Sequence, residues 1–484
     1  MVILSSYLKP LFNPFILIFQ LLWRIFWSGL NQKSLIRFLL NYWINFSPVF
    51  IWLLIFKNAG LIPKSIRPHI FVKLAYRVDE RLFNFFDFPL ENLALVICCG
   101  LVSYLLYWKV YGPIGKNTSS VPTSEHNDNE VNQPFLKTYE VSPSHSFELT
   151  DVDSTSSSVE CQNSTQNEEN ISSETLTIDD SPSDLYDEDD PNKFMDLVYF
   201  KHRRYTPNNT KLETIIETRQ QQSSSNPYRP LNNWYLTAPL LLSASWFILN
   251  FDYYLFREPI HTPKDILAWF SYVIGHFCAP LFTAIWLYVF HAPGSLKLFS
   301  IALGVQNIAG VLTHLSFPNA PPWFIHLYGE NSLADYDMPG YAAGLTRVDV
   351  AMGTHLNTNG FHASPIVFGA LPSLHSAMAV MVFFFLSYYS RWTFVKLIGL
   401  SFVILQWWAT MYLDHHWRLD LFVGMCYSIV MFSILQPWLR NNDKRFMMAR
   451  LRKDYLNSHT MGMRVFKNTW LESFFDPLYL ADEN

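Results

Sequence analysis

The stretch Phe368-Gly369-Ala370-Leu371-Pro372-Ser373-Leu374-His375-Ser376 opens an apolar run that continues to Tyr389. A second polar stretch, Asp414-His415-His416-Trp417-Arg418-Leu419-Asp420, separates the apolar runs Phe394 to Leu413 and Leu419 to Leu439. Three more runs precede them, at Trp234 to Tyr254, Ile266 to Phe290 and Lys297 to Leu315. A bilayer core needs about 20 apolar residues of helix, so each run is read as a span. Half of the chain is hydrophobic, and its clustering into such runs decides the fold class: an all-α polytopic membrane protein with a six-helix core.

Positive charge orients the spans. Lys297, Arg391, Lys396 and the tail from Arg440 to Lys453, with Lys444, Arg445, Arg450 and Arg452, fall on one side, which the positive-inside rule makes cytosolic. The loop from Ser316 to Leu371 and the turn from Asp414 to Arg418 fall on the other. Both histidine stretches therefore emerge on one, non-cytosolic face. The net charge of -5 reflects acidic residues gathered in one polar insert, so no nucleic-acid partner is expected.

Residues 1–112 read as membrane or interfacial segments. Met1 to Leu30, aromatic-rich and carrying Arg24, suits an interfacial helix, and no cleavable signal is evident. Ile36 to Phe56 and Leu93 to Trp108 supply one or two further membrane segments, and the basic stretch from Lys57 to Asn92 reads as an amphipathic surface segment. If both early runs span, the basic loop from Lys57 to Arg81 lands on the non-cytosolic face, against the charge rule. Anionic headgroups around that loop, or an interfacial hairpin in place of two spans, both satisfy the sequence. Residues 113–230 are too polar to offset the entropy of ordering and are expected to be a disordered cytosolic insert. Its Asn-x-Ser/Thr triplets at Asn117, Asn163, Asn170 and Asn208 are expected to be unmodified, because Lys201-His202-Arg203-Arg204 keeps the insert in the cytosol. A catalytic transmembrane domain, 231–440, and a basic cytosolic tail, 441–484, complete the chain. Cys98, Cys99, Cys278 and Cys426 lie in apolar runs and Cys161 stands alone in the insert, so neither a disulfide framework nor a zinc spacing is visible.

The chemistry is carried by a few polar residues. His416 and Asp420 are four apart, on one face of a helix start, where the carboxylate can accept a hydrogen bond from one imidazole nitrogen and leave the other as a lone pair. A polar pair resting at a membrane boundary is the bland alternative. Pro372 and Ser373 open a helix whose free first-turn amides, with the Ser373 hydroxyl, can hold phosphate oxygens. His375 stands beside that anion site as a proton donor, or as a headgroup-facing residue of an ordinary capped helix. Both histidines on one membrane face are harder to explain structurally than either alone.

Pro-Ser-x-His-Ser followed one span later by His-x-x-x-Asp resembles the type 2 phosphatidate phosphatase superfamily. Within it, Arg347-Val348-Asp349, Gly353-Thr354, Gly360-Phe361, Ser364-Pro365-Ile366-Val367-Phe368-Gly369-Ala370 and Thr410-Met411-Tyr412-Leu413 resemble the fungal inositolphosphoryl-ceramide synthase branch. Closer still is the sister family that adds a second inositol phosphate to mannosylated inositolphosphoryl-ceramide. That likeness rests on Asn45-Phe46-Ser47-Pro48-Val49-Phe50, Asn58-Ala59-Gly60-Leu61-Ile62-Pro63, Gln306-Asn307-Ile308-Ala309-Gly310-Val311, Leu405-Gln406-Trp407-Trp408 and Gly462-Met463-Arg464-Val465-Phe466. The resemblance implies His416 as nucleophile, Asp420 as its orienting carboxylate and His375 as general acid and base. It implies two displacements at phosphorus, from phosphatidylinositol to the enzyme and on to a sphingolipid hydroxyl, releasing diacylglycerol through a phosphohistidine. It also implies residence in the Golgi with the site facing the lumen.

The chain departs from the superfamily pattern in its cations. The Lys-x6-Arg-Pro motif is absent, and Ala409-Thr410 stands where a Ser-Arg pair is expected. A phosphodiester carries one negative charge and needs fewer cations than a monoester, so Arg347 and His415 are the candidates to meet it. Arg347 could equally pair with Asp349. His314, His326, His355 and His362 match no common metal spacing, and the implied mechanism needs neither metal nor cofactor. Pro321-Pro322-Trp323-Phe324 reads as interfacial packing above the site. A lipid phosphatase and a transporter or scaffold are the rival readings, though few charges interrupt the last six runs. No residue pattern indicates a protein partner subunit.

Overall fold

Every predicted span is helical in the computed structural model, which describes residues 18–31, 34–84, 86–111, 234–452 and 454–478. The polar insert at 113–230, with its glycosylation-type triplets, lies outside the described residues. In chain order the helices are α1 (residues 18–30), α2 (Leu35–Asn58), α3 (Lys73–Phe83), α4 (Pro89–Tyr111) and α5 (Trp234–Phe256). Then α6 (Thr262–Trp269) runs through a π-helical turn, Phe270–Gly275, into α7 (His276–Phe290), followed by α8 (Ser295–Ser316). Short helices α9 (Pro322–Tyr328), α10 (Leu345–Met352) and α11 (Leu356–His362) fill the long loop before α12 (Leu374–Tyr389), α13 (Thr393–Tyr412) and α14 (Arg418–Leu451). Among the described residues, five stretches are long and apolar enough to cross a membrane: Leu35–Leu61, Thr262–Phe290, Ser295–Ser316, Thr393–Tyr412 and Arg418–Leu451. α14 runs past the predicted end at Leu439 because Arg440 to Leu451, though charged, continues the helix beyond the apolar region.

α12 is the hub, packed against α7, α8, α13 and α14. It is buried around its circumference, from Ser376 through Val382 and again at Phe384 and Phe385, as expected of a helix apolar on every side. Small residues let its neighbours approach closely, which is how helices associate where lipid competes for apolar surface. The tightest approach is at Gly424 of α14, where a Cβ would lie 2.3 Å from the Ser373 carbonyl oxygen. Polar groups fasten the same seam. The Ser373 amide donates to the Asp420 carbonyl at 2.9 Å, and the Ser376 hydroxyl donates to the Leu421 carbonyl at 2.6 Å while accepting from Trp407 Nε1 at 2.8 Å. One turn on, Ser428 and Gln306 both donate to the Ala377 carbonyl.

Part of the basic N-terminal loop finds partners in the protein. α2 lies along α8, with Ser300 Oγ donating to the Asn45 carbonyl at 2.8 Å, and α4 lies along α5. The connection between α2 and α4 therefore shares an end with the loop before α12. There Asn319 bridges Phe71 on one side and Gly369 on the other, Lys64 pairs with Asp337, and Arg67 donates to the carbonyls of Ala59, Gly60 and Ile62 and lies over the Tyr336 ring. α3, expected on the surface, instead buries Ala75, Asp79 and Phe83. Asp79 takes two nitrogens of buried Arg418, at 2.8 and 3.1 Å, and caps the Leu419 amide. Trp323 and Phe324 are likewise not interfacial: they are buried with Ile70, Ala343 and Phe368.

At the opposite end, the chain after α14 folds back onto α1. Arg24 donates to the Val465 carbonyl at 3.2 Å, Arg464 to the Ser28 carbonyl at 3.1 Å, and Arg450 pairs with Asp476. Arg24 interrupts the aromatic run for that reason; it is buried rather than at a polar surface.

The seam makes a prediction. Gly424→Ala forces a methyl group against backbone rather than against a side chain that can move, and should destabilise the purified protein by about 1–3 kcal/mol. Thermal melts in detergent measure this, and an unchanged midpoint would show that the two helix starts can separate without cost.

Candidate active site

The turn between α13 and α14 presents His416, and the start of α12 presents His375. The ring centroids are 5.7 Å apart, close enough for one to attack a phosphorus atom while the other stands within the roughly 3 Å reach that proton transfer needs. His416 is 8% exposed and Asp420 fully buried. Their geometry differs from the simple pair read from spacing. Nδ1 of His416 is 3.6 Å from Asp420 Oδ2, whereas it meets the Ala370 carbonyl at 3.1 Å. A carbonyl only accepts, so Nδ1 carries the proton and Nε2 is left as the lone pair. Asp420 supports the ring electrostatically, and its Oδ2 also accepts from the Trp417 amide at 2.8 Å at the start of α14.

His375 is held differently. Neither of its ring nitrogens has a hydrogen-bond partner among the described residues. Its ring stacks on Tyr272 at 4.1 Å and 23°, and meets His276 at 4.5 Å and 43°. Both contacts come from the π-helical turn and the first residue of α7. The α12 amides of Leu374 and His375 have no acceptor among the described residues, and lie at a helix N-terminus, where anions are favoured.

Three of the phosphate-binding candidates are placed otherwise than expected. Ser373 is not in the first turn behind Pro372; it is the N-cap, its hydroxyl accepting from the Ser376 amide. Its residue is fully buried, so the hydroxyl is unavailable to a substrate. His415 donates through Nε2 to the Ala342 carbonyl at 3.2 Å, and burial lowers its pKa to about 3. Burial thus disfavours the cation expected of it. Arg347 pairs not with Asp349 but with Asp265, at 2.8 Å through Nε, and lies over the Tyr412 ring. Its Nη2 has no acceptor among the described residues, and because the side chain as a whole is 32% exposed, a modest rotation would bring this unused donor to a substrate. Asp349 belongs to the loop: burial opposes its charge, but Thr358 and Asn357 hold its pKa down to about 2 while fastening the start of α11.

Sequence reasoning passed over several residues of the site. His314, weighed only as a metal ligand, bonds through Nε2 to the Pro372 carbonyl at 2.8 Å and so fixes the turn into α12. Tyr272 and His276 lie inside an apolar run, where an isolated histidine was the available signal. Asp265 is 82 positions from Arg347, and no local pattern links them. Among the described residues no group of three or more His, Cys, Asp or Glu is placed to hold a metal ion.

The PAP2 superfamily model matches residues 251–434, which hold both histidines and Asp420. The chain is similar to Inositolphosphotransferase 1 of Saccharomyces cerevisiae, 30% identical over 98% of this chain and 99% of that protein. It is also similar to the inositol phosphorylceramide synthase catalytic subunit of Schizosaccharomyces pombe, 39% identical over 38% of this chain and 42% of that protein. A third relative, phosphoinositol dihydroceramide synthase of Bacteroides thetaiotaomicron, is 28% identical over 27% of this chain and 43% of its own length. No solved structure matches the chain.

The placement of Ser373 is open to test. Ser373→Ala should cost the ~1 kcal/mol typical of a lost N-cap and leave substrate affinity unchanged. Weakened substrate binding at unaltered stability would return the hydroxyl to the phosphate site.

Proposed function

Because the chain belongs to the PAP2 superfamily and, within it, to the inositolphosphotransferase family, we propose that it moves phosphoinositol from phosphatidylinositol to mannosyl-inositolphosphoryl-ceramide. The products are mannosyl-di-inositolphosphoryl-ceramide and diacylglycerol. The chain is a multi-pass membrane phosphotransferase of sphingolipid biosynthesis; donor, acceptor and mechanism are the proposal. The observation that carries it is the pair of histidine rings 5.7 Å apart at one membrane end, among the described residues one with Nε2 unbonded and one with both nitrogens unbonded.

In the first displacement, Nε2 of His416 attacks phosphorus and the bond to the diacylglycerol oxygen breaks. His375 gives that oxygen a proton. The bound phosphodiester supplies the negative charge that favours the imidazolium form of His375 before transfer. The result is an inositolphospho-histidine. In the second displacement, a sphingolipid hydroxyl loses its proton to His375 and attacks phosphorus, and the bond to His416 breaks. Each lipid thus meets the same site in turn. The amides at the start of α12 and the spare Nη2 donor of Arg347 are the groups assigned to the phosphate oxygens. This is a modest set, suited to the single charge of a diester.

Charge supports the side of the membrane that belongs to this proposal. Lys297, Arg391, Lys396 and Arg440 to Arg452 gather at the end opposite the histidines, which supports a cytosolic opposite end and a lumenal site. Golgi residence is part of the same proposal.

Membranes carrying wild type, His375→Ala or His416→Ala, given labelled phosphatidylinositol and a choice of ceramide, inositolphosphoryl-ceramide or its mannosylated form, test this. The mannosylated acceptor should be used by wild type, and each variant should lose about a thousandfold or more in rate. Product from ceramide alone would reassign the acceptor, efficient hydrolysis of phosphatidic acid would favour a phosphatase, and unchanged transfer by His416→Ala would overturn the mechanism.

A further inference from the structure

His415 and His416 are each pinned by a hydrogen bond to a backbone carbonyl; His375 has no such bond among the described residues. A ring that must take a proton from one lipid oxygen and give it to another benefits from keeping both nitrogens unoccupied. Its orientation must then come from something other than hydrogen bonding.

The structure supplies a series of near-parallel rings. Phe361 of α11 stacks on His415 at 4.6 Å and 25°. His415 stacks on Tyr272 at 5.0 Å and 25°, and Tyr272 stacks on His375 at 4.1 Å and 23°. Tyr272 sits in the π-helical turn Phe270–Gly275. Such turns take up an extra residue within a helix and are concentrated at functional sites. Offset stacking fixes the tilt of a ring without using its polar atoms. Burial disfavours a positive charge on His415, which suits a neighbour of a ring that must itself become an imidazolium.

We propose that Tyr272 is the positioning residue for His375, the end of a Phe361–His415–Tyr272 stack that holds the proton-carrying ring over the phosphorus and leaves both of its nitrogens to the substrates. The proposal rests on the role assigned to His375 above. It also gives the loop helix α11 a mechanical connection to the reacting centre, through rings alone.

The test uses the full-length protein in lipid nanodiscs with phosphatidylinositol and the acceptor proposed above, mannosyl-inositolphosphoryl-ceramide, measuring kcat and KM for the donor. A misplacement of about 1 Å at a reacting group can cost roughly a hundredfold, so Tyr272→Leu should lower kcat by about ten- to a hundredfold with KM within about twofold. Tyr272→Phe, which keeps the ring, should bring kcat back to within about threefold of wild type. A purely structural role would not divide the two variants in this way. Wild-type kcat in Tyr272→Leu, beside an inactive His375→Ala, overturns this inference alone. So does equal damage from Leu and Phe, which would give the role to the hydroxyl. A fully active His375→Ala would overturn the site assignment and this inference together. Should Tyr272→Leu fail to fold, Phe361→Ala decides from the other end of the stack. A kcat loss of about threefold at constant KM supports the proposal, and wild-type kcat overturns it.

Discussion

The hydrogen bond from the Ser373 amide to the Asp420 carbonyl, with Gly424 beneath it, is the contact on which the site depends. It joins the first residues of two helices that are distant in sequence and brings their histidines to one end of the membrane. Backbone groups make it, so no side-chain motif encodes it. What encodes it is the absence of a side chain: only glycine leaves room for the Ser373 carbonyl at 2.3 Å from where a Cβ would be. Around this seam, His314 holds the Pro372 carbonyl and Trp407 holds Ser376. The two helix starts are thereby set by several helices at once.

Much of this was legible in the chain. The apolar runs set the spans, and the boundary positions of His375 and His416 placed both at one end, because burial of bare backbone and charge is penalised too heavily in a bilayer for such patterns to be ambiguous. What failed were inferences from local spacing to local contact. Ser373 looked like a phosphate ligand and is a buried cap. His416 looked bonded to Asp420 and is closer to a carbonyl 46 positions away. Arg347, read either as a phosphate contact or as the partner of Asp349, pairs with Asp265. For His416 and Arg347 a partner from another segment was the better acceptor, and neither periodicity nor charge pattern contains that information; for Ser373 the amide of Ser376, one turn into its own helix, took the hydroxyl.

The N-terminal third shows the same limit on a larger scale. A basic loop at the site end looked like a breach of the charge rule. In the folded protein several of its cations have partners: Asp337 for Lys64, carbonyls and a tyrosine ring for Arg67, Asn331 for Lys73. A reciprocal debt is settled at Asp79, which neutralises Arg418 from 339 positions away, two residues past the nucleophile assigned to His416. The early helices are thus part of the frame around the site, and their contribution to the turn at 414–420 is positional rather than chemical.

The most direct measurement is of the covalent intermediate. Full-length protein given phosphatidylinositol labelled in its headgroup, with no acceptor, is quenched under alkaline conditions that preserve phosphohistidine and mapped by peptide mass spectrometry. The account predicts an inositolphospho group on the peptide containing His416, discharged on adding the sphingolipid acceptor and absent in His416→Ala. Label transferred to acceptor with no modified histidine, or a modified residue elsewhere, would contradict it.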